Sequence, residues 1–210
     1  MQLLLHPGYF PNIANFAALA QNEICWEVKD NYQKQTFRNR CYICTDLGRH
    51  MLNIPIKHIG GENKKQTFSD VVIDNDYKWQ RQHWRTLQTA YRTSPFFEFY
   101  EDDIAPLYKG TFTSLMEFNL KTIETICDCL QITMPTERTE AYQSKATDKM
   151  DGRHLINSKS ELHFHQPDYV QVFSDRNPFI ANLSILDLLF NEGTNTLSYL
   201  KNLKLHFSHA

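Results

Sequence analysis

The first third of the chain alternates between short apolar runs and polar breaks, a pattern that predicts β-strands. Residues 2–6 form an apolar run closed by a Pro-Gly turn, so we expect a short buried strand there. Residues 23–30 and 67–74 have the same character. Residues 50–58 are placed to pair with the segment before them, as a hairpin across residues 45–49.

Helical spacing is found after the first predicted strand and dominates the second half. Residues 11–21 place apolar side chains three and four positions apart, with a proline in the first turn. Residues 75–92 and 113–132 repeat this spacing, and the second of them opens with a Thr/Ser cap and Glu117 placed for a capping box. The apolar segment 183–193 predicts a further helix that ends at its glycine.

The segment between these helices is polar and lacks periodicity. We expect a mobile loop over residues 134–148, followed by strand-like segments at 161–165 and 169–173. Together these elements predict one α/β (or α+β) domain over residues 1–210. Its mixed sheet has strands concentrated in the first half of the chain, and its helices lie in the second half.

Composition and charge narrow the function classes. The net charge of −2 lacks the positive field that binding to a nucleic-acid backbone needs, so nucleic acid is not expected as the main partner. No apolar run reaches the roughly 20 residues that cross a bilayer, and the N-terminal apolar stretch is too short for a signal peptide. We therefore expect a cytoplasmic protein with reduced thiols.

The segment from Asp30 to Ile43 carries the most informative pattern. As an extended strand it would present Lys34, Arg38 and Arg40 on one face, with the two arginines roughly 7 Å apart. Such a row can hold two phosphates, because each guanidinium can donate two hydrogen bonds to one anion. The alternative is a solvated outer face, or an edge strand protected by its charges.

A second candidate lies in the turn "HPGYFP" at residues 6–11. A turn between a strand and a helix N-terminus is a common place for anionic ligands in α/β proteins. His6 can donate a hydrogen bond to a phosphate or exchange a proton there, and Gly8 lets a ligand approach the backbone. The alternative is a stiff turn whose histidine has only a structural hydrogen bond.

Three further points concern candidate catalytic and metal-binding residues. Asp187 is an acid surrounded by apolar residues in a predicted helix, so we expect it to orient an Arg, Lys or His of the site, the alternative being exposure near the helix start. His163 and His165 share a strand face, but no third metal ligand follows at a convincing spacing. Known nucleotide, hydrolase and metalloprotease motifs are absent from the sequence, and we expect no metal and no cofactor.

Several segments in the same order resemble the WbqC-like family: "HPGYFPNIANFAALA", "DNYQKQTFRNRCYI", "LNIPI", "HWRTLQTAYRTSPFFEFYED" and "LSILDLLFNEG". The resemblance runs from about residue 6 to about residue 195. It implies a bacterial cytoplasmic protein, often associated with O-antigen or other surface-polysaccharide biosynthesis, without an established reaction. Other members often have Gln-Pro where this chain has His6-Pro7, and an amide cannot perform proton chemistry, which weighs against a catalytic His6.

The residues and the resemblance together predict a small transferase-type enzyme that binds a nucleotide-activated sugar or a sugar phosphate. The alternative is a non-catalytic binding or assembly protein of a glycan pathway. The catalytic residues, the donor, the acceptor and the oligomeric state stay open, with His6 and Asp187 as catalytic candidates. The predicted ligand-binding residues are His6, Tyr9, Lys34, Arg38, Asn39, Arg40, Tyr91 and Tyr100.

Overall fold

Small sheets and short helices make up the chain, in a mixed α/β arrangement. The computed structural model describes residues 1–57, 66–146, 148–159, 162 and 164–205. The strands are β1 (Leu3–Leu5), β2 (Ile24–Trp26), β3 (Arg40–Thr45), β4 (Gly48–Asn53) and β5 (Met150–Asp151). The helices are α1 (Ile13–Gln21), α2 (Trp79–Tyr91), α3 (Phe97–Ile104), α4 (Leu115–Cys129), α5 (Ile185–Glu192) and α6 (Thr196–Asn202).

Three of the strands form a parallel sheet in the order β2-β1-β5. β1 pairs with both neighbours, so that Leu3 lies beside Ile24 on one side and Met150 on the other. β1, the following turn and α1 form a strand–turn–helix unit, as the sequence predicts. Asn12 caps α1, because its side-chain oxygen accepts a hydrogen bond from the Asn15 amide.

The remaining two strands form an antiparallel hairpin, β3–β4, which confirms the predicted pairing. The predicted strand over 30–44 is too long, however, because regular pairing starts only at Arg40. Gln35 has a φ of 62°, which turns the chain out of an extended path. Phe37 and Arg38 are both buried although they are consecutive, so the alternation of faces expected of a strand fails before β3.

The helices predicted after residue 75 are present in the structure, but other predicted elements are not. α2, α4 and α5 confirm the predicted helices, and Ser114 caps α4 by accepting from the Glu117 amide. The predicted strand 67–74 contains a single 3-10 turn and isolated bridges, and 169–173 is not a strand. Helix α3 was not predicted. Residues 160, 161 and 163 lie outside the described residues, and the mobility of 134–148 stays a prediction.

One hydrophobic cluster joins both halves of the chain, with members from Leu3 to Leu203. α1 packs against α6, and α5 contacts α1, α3 and β3. The two sheets are too small to bury much surface by themselves, so the helices enclose most of the core. None of the described helices is long and apolar enough to cross a bilayer.

A polar cluster lies inside this core. The Tyr9 hydroxyl lies 2.9 Å from His83 Nδ1 and 2.7 Å from the Tyr108 hydroxyl. Burial lowers the pKa of His83 to about 4, so its imidazole is neutral at pH 7. Tyr9 is therefore a core residue that joins the turn after β1 to α2, as its full burial shows.

We expect replacing Gly193, which ends α5, with alanine to destabilise the protein by about 3 kcal/mol. Gly193 has a φ of 54° and a ψ of −122°, and an added Cβ would lie 2.5 Å from the rigid ring of Phe96. Urea unfolding of Gly193→Ala measures the loss. Gly110→Ala is the matched control, because its nearest contact would be an ordinary 3.4 Å. Equal stability of the two variants would contradict the packing described.

We also expect His83 to make stability fall with acidification. A folded-state pKa lowered to about 4 contributes stability above the unfolded value of 6.5, and this is lost as the pH falls towards about 4. The fully developed effect is about 3 kcal/mol. Urea unfolding between about pH 7 and about pH 4.5 should show the stability gap between wild type and His83→Gln closing. The exposed His165→Gln is the control, and a pH-independent gap for His83→Gln would refute the expectation.

Candidate functional site

A cavity of about 530 Å³ lies beside the start of β3 and the end of β4. Three of the predicted ligand-binding residues line it, and several polar side chains from other segments join them. The polar lining includes Tyr32, Lys34, Asn39, Arg40, Asn53 and Asp74. The cavity therefore combines two cations, a carboxylate, amides and a phenol within the volume of a small ligand.

The base of the β3–β4 hairpin fixes the amides of this cavity. Asn39 Nδ2 donates to Asn53 Oδ1 at 3.1 Å and to the Ile54 carbonyl at 3.0 Å, and the Ile54 amide donates back to the Asn39 carbonyl. Asn39 is 6% exposed, and its Oδ1 has no hydrogen-bond partner among the described residues. A buried amide oxygen in this state is expected to accept a hydrogen bond from a ligand or a water molecule.

Arg40 is the cation best placed to hold an anion in the cavity. Its side chain is half-buried, and its buried Nε has no hydrogen-bond partner within the described part of the chain. No carboxylate of the described residues lies within ion-pair distance of it. Lys34 adds an exposed ammonium at the same cavity, so the positive charge here is largely uncompensated.

A buried ion pair lies directly before these residues in the chain. Arg38 is 0% exposed, and its Nη2 donates to Asp30 Oδ2 at 2.9 Å. Burial lowers the pKa of the Arg38 guanidinium, while the charge of Asp30 opposes that effect. Arg38 Nε and Nη1 have no hydrogen-bond partner among the described residues. Arg38 therefore does not share a face with Arg40 and Lys34, because it points into the interior.

His6 completes this buried cluster. Its Nε2 lies 3.1 Å from Arg38 Nη2 and 3.4 Å from Asp30 Oδ2, and its Nδ1 lies 3.3 Å from the Glu27 carbonyl. Burial, followed by the nearby Arg38 charge, lowers the pKa of His6 well below its usual value. A neutral, 4% exposed imidazole is not at a cavity mouth, and it is a poor proton donor at pH 7.

Asn119 on α4 connects the turn after β1 to the segment that carries the arginines. Its Nδ2 donates to the Pro7 carbonyl at 3.1 Å and to the Arg38 carbonyl at 2.7 Å. This residue was not predicted from the sequence. An asparagine among the apolar positions of a predicted helix could have indicated it, because a buried amide needs hydrogen-bond partners, and Asn119 is fully buried. Asp74, whose segment was interpreted as a strand, was not predicted either.

The other two predicted aromatic contacts are elsewhere. Tyr91 is fully buried and donates to Asp187 Oδ1 at 2.6 Å, while Tyr100 is buried on α3. Neither of them lines the cavity that contains Arg40, and Tyr9, which is buried in the core, does not line it either. Of the predicted ligand-binding residues, Lys34, Asn39 and Arg40 line one cavity. Arg38 and His6 are buried and do not line it.

The prediction that Asp187 orients a cationic site residue is wrong, and it is not exposed either. Its carboxylate accepts from Tyr91, from Tyr169 at 2.5 Å and from Gln171 Nε2 at 3.1 Å. Burial raises the pKa of Asp187, and these hydrogen bonds act in the opposite direction. This network joins α2, α5 and the segment around residue 170.

Thiol and metal chemistry have little support in the structure. Burial raises the pKa of the Cys41 thiol and raises that of Cys44 to about 11, so both are protonated at pH 7. Within the described residues, no three His, Cys, Asp or Glu side chains converge as a metal site. The absence of such a cluster does not test the pair His163 and His165, because His163 lies outside the described residues.

Comparison with known proteins confirms the resemblance seen in the sequence. The model of the WbqC-like protein family matches residues 6–163 and 143–199. The chain is also 28% identical, over 199 aligned residues, to the uncharacterized protein Rv1507c of Mycobacterium tuberculosis, covering 81% of this chain and 84% of that protein. No solved structure matches significantly. Because the family match includes every residue of the cavity and most of the chain, this protein belongs to the WbqC-like protein family.

Proposed function

We propose that this protein is a small transferase-type enzyme of bacterial surface-polysaccharide or O-antigen precursor synthesis. In this proposal the phosphorylated part of a nucleotide-activated sugar or sugar phosphate binds in the cavity beside β3. The observation that carries the proposal is the half-buried Arg40 guanidinium, which has an unpartnered Nε and shares the cavity with Lys34. A cytoplasmic location accompanies the proposal.

The charges and donors of the cavity suit a phosphate better than a neutral molecule. Arg40 offers a planar fork that can donate two hydrogen bonds to one phosphate, and Lys34 offers a mobile ammonium for a second. Asn39 supplies a fixed amide whose free oxygen can accept from a sugar hydroxyl. Tyr32 lines the same cavity and provides an aromatic ring on which a base or sugar can lie.

Asp74 is the carboxylate that the structure adds to this cavity. It is half-exposed, and among the described residues its Oδ1 accepts one hydrogen bond, from the Asp76 amide at 3.2 Å. In a transfer reaction it can take the proton from the attacking hydroxyl or amine of the acceptor, while Arg40 and Lys34 stabilise the departing phosphate. It is a better candidate base than His6 or Asp187, which are buried and engaged in hydrogen bonds.

A non-catalytic binding or assembly protein is the second candidate. The observation in its favour is that both catalytic candidates from the sequence, His6 and Asp187, are buried in structural networks. Turnover of a nucleotide sugar by the purified protein, lost in Asp74→Asn, would exclude it. Tight binding without turnover, unchanged in Asp74→Asn, would favour it over the enzyme.

We expect Arg40→Ala to weaken binding of a nucleotide sugar by about 1.5–3 kcal/mol, or about 10- to 150-fold, because one charge-assisted interaction is lost. A thermal-shift panel of UDP-sugars, GDP-sugars and sugar phosphates identifies the tightest ligand. Titration calorimetry then compares the wild type with the variant. A ligand at 100 times its dissociation constant adds about 2.7 kcal/mol of stability, so binding is readily detected.

Arg81→Ala is the matched control for this measurement. Arg81 is an exposed arginine on α2 that does not line the cavity, and its loss should leave the affinity unchanged. Circular dichroism establishes that both variants fold. Equal affinity in wild type, Arg40→Ala and Arg81→Ala would remove Arg40 from the site and with it the proposed function.

A further inference from the structure

A second cavity, of about 440 Å³, lies over one face of the parallel sheet, beside the paired mid-strand residues of β1 and β2. Glu27, the first residue after β2, lines it together with Leu4 and Cys25 of the sheet. Further lining comes from residues 137–141, 143, 146, 148 and 149.

The charges of this cavity are opposite to those of the cavity beside β3. Its lining contains four carboxylates, from Glu27, Glu137, Glu140 and Asp148, and two cations, from Arg138 and Lys149. Both cations are already paired. Arg138 donates to Glu117 outside the cavity at 2.8 Å, and Lys149 donates to Asp148 at 3.0 Å. The remaining carboxylates give the cavity a net negative character.

Glu27 is the carboxylate that points to a ligand. Its side chain is 1% exposed, and its Oε1 accepts from the Lys29 amide at 2.8 Å and from Thr139 Oγ1 at 2.9 Å. Oε2 has no hydrogen-bond partner among the described residues. The nearest cation is Arg153, whose Nη1 lies 3.9 Å away, beyond hydrogen-bond distance.

Arg153 is held by other acceptors, and its Nη1 stays too far from Glu27 Oε2 to supply the missing hydrogen bond. Its Nε and Nη2 donate to Asp151, and its Nη1 and Nη2 donate to the carbonyls of Gln143 and Ser144. The guanidinium is therefore held by other acceptors. A buried, ionisable oxygen that is left without a donor is expected to receive one from a bound molecule.

We propose that this second cavity binds a small polar molecule through a primary ammonium group, with Glu27 as the acceptor of that group. An ammonium offers three donors in a compact volume, which suits a single buried carboxylate oxygen. Thr139 and Gln143 can bond accompanying hydroxyls. A metal ion is a weaker match, because no three His, Cys, Asp or Glu side chains of the described residues converge as ligands.

This inference goes beyond the proposed function, since it assigns a second subsite and a second ligand class. It depends on Glu27 and residues 137–149, whereas the anion site depends on Lys34, Asn39 and Arg40. Either proposal can therefore fail without the other. If both hold, the protein binds an amine-bearing molecule at a site distinct from that of the activated sugar.

Saturation-transfer difference NMR at mildly acidic pH, with glucosamine and N-acetylglucosamine as probes, tests the proposal. The two sugars differ in the ammonium, which acetylation removes. We expect glucosamine to bind wild type and N-acetylglucosamine to bind at least about tenfold more weakly, as for the loss of one charge-assisted hydrogen bond. Glu27→Gln should weaken glucosamine binding by a similar factor and leave inorganic pyrophosphate binding unchanged.

Two further variants keep the test decisive. Ala141→Trp fills the cavity from its exposed wall and should abolish glucosamine binding even if Glu27→Gln fails to fold. Glu98→Gln, an exposed carboxylate on α3, is the matched control and should behave as wild type. No glucosamine binding to wild type, equal binding of the two sugars, or full binding by Ala141→Trp would each overturn the proposal.

Discussion

The buried ion pair between Arg38 and Asp30 is the constraint on which the rest of the site depends. Arg38 is completely enclosed, and the Asp30 carboxylate is the one described anion bonded to it. A buried guanidinium without an acceptor costs several kcal/mol, so the chain between the two residues must loop back to bring them together. This loop turns at Gln35 and delivers Asn39 and Arg40 to the cavity rim.

The sequence predicted those parts of the fold that local physics determines. The strand–turn–helix from β1 to α1 and the helix α4 follow from apolar periodicity and capping side chains, which act within a few residues. The path of residues 32–39 could not be predicted in this way. It depends on an arginine that pairs with Asp30 and lies beside His6, contacts that a strand pattern does not contain.

The residues of the candidate site were also predicted only in part from the sequence. Lys34 and Arg40 were predicted from the face that they would share on one extended strand, and they line the same cavity although regular strand pairing starts only at Arg40. Asp74 and Glu27 were missed, since single acids become informative only when the fold places them in a cavity. Asp187 was misjudged because two tyrosines and a glutamine, distant in sequence, satisfy it in place of a base.

The two cavities are connected through one short stretch of chain. Glu27 lines the acidic cavity, and thirteen positions later Arg40 lines the basic one, with Asp30 and Arg38 between them in the sequence. The Glu27 carbonyl lies 3.3 Å from His6, which in turn contacts Arg38. The buried cluster is therefore in contact with both ends of the segment that joins the two cavities.

The hydrogen bonds of Asn119 have a consequence for how the protein is made. This side chain, which follows Arg38 by 81 positions, fastens Pro7 and Arg38 to each other. During synthesis on the ribosome, the N-terminal third therefore emerges before the Asn119 side chain that bonds its Pro7 and Arg38 carbonyls. The binding surface matures only after α4 has left the exit tunnel, so a nascent chain shorter than this carries exposed cations and an unfinished turn.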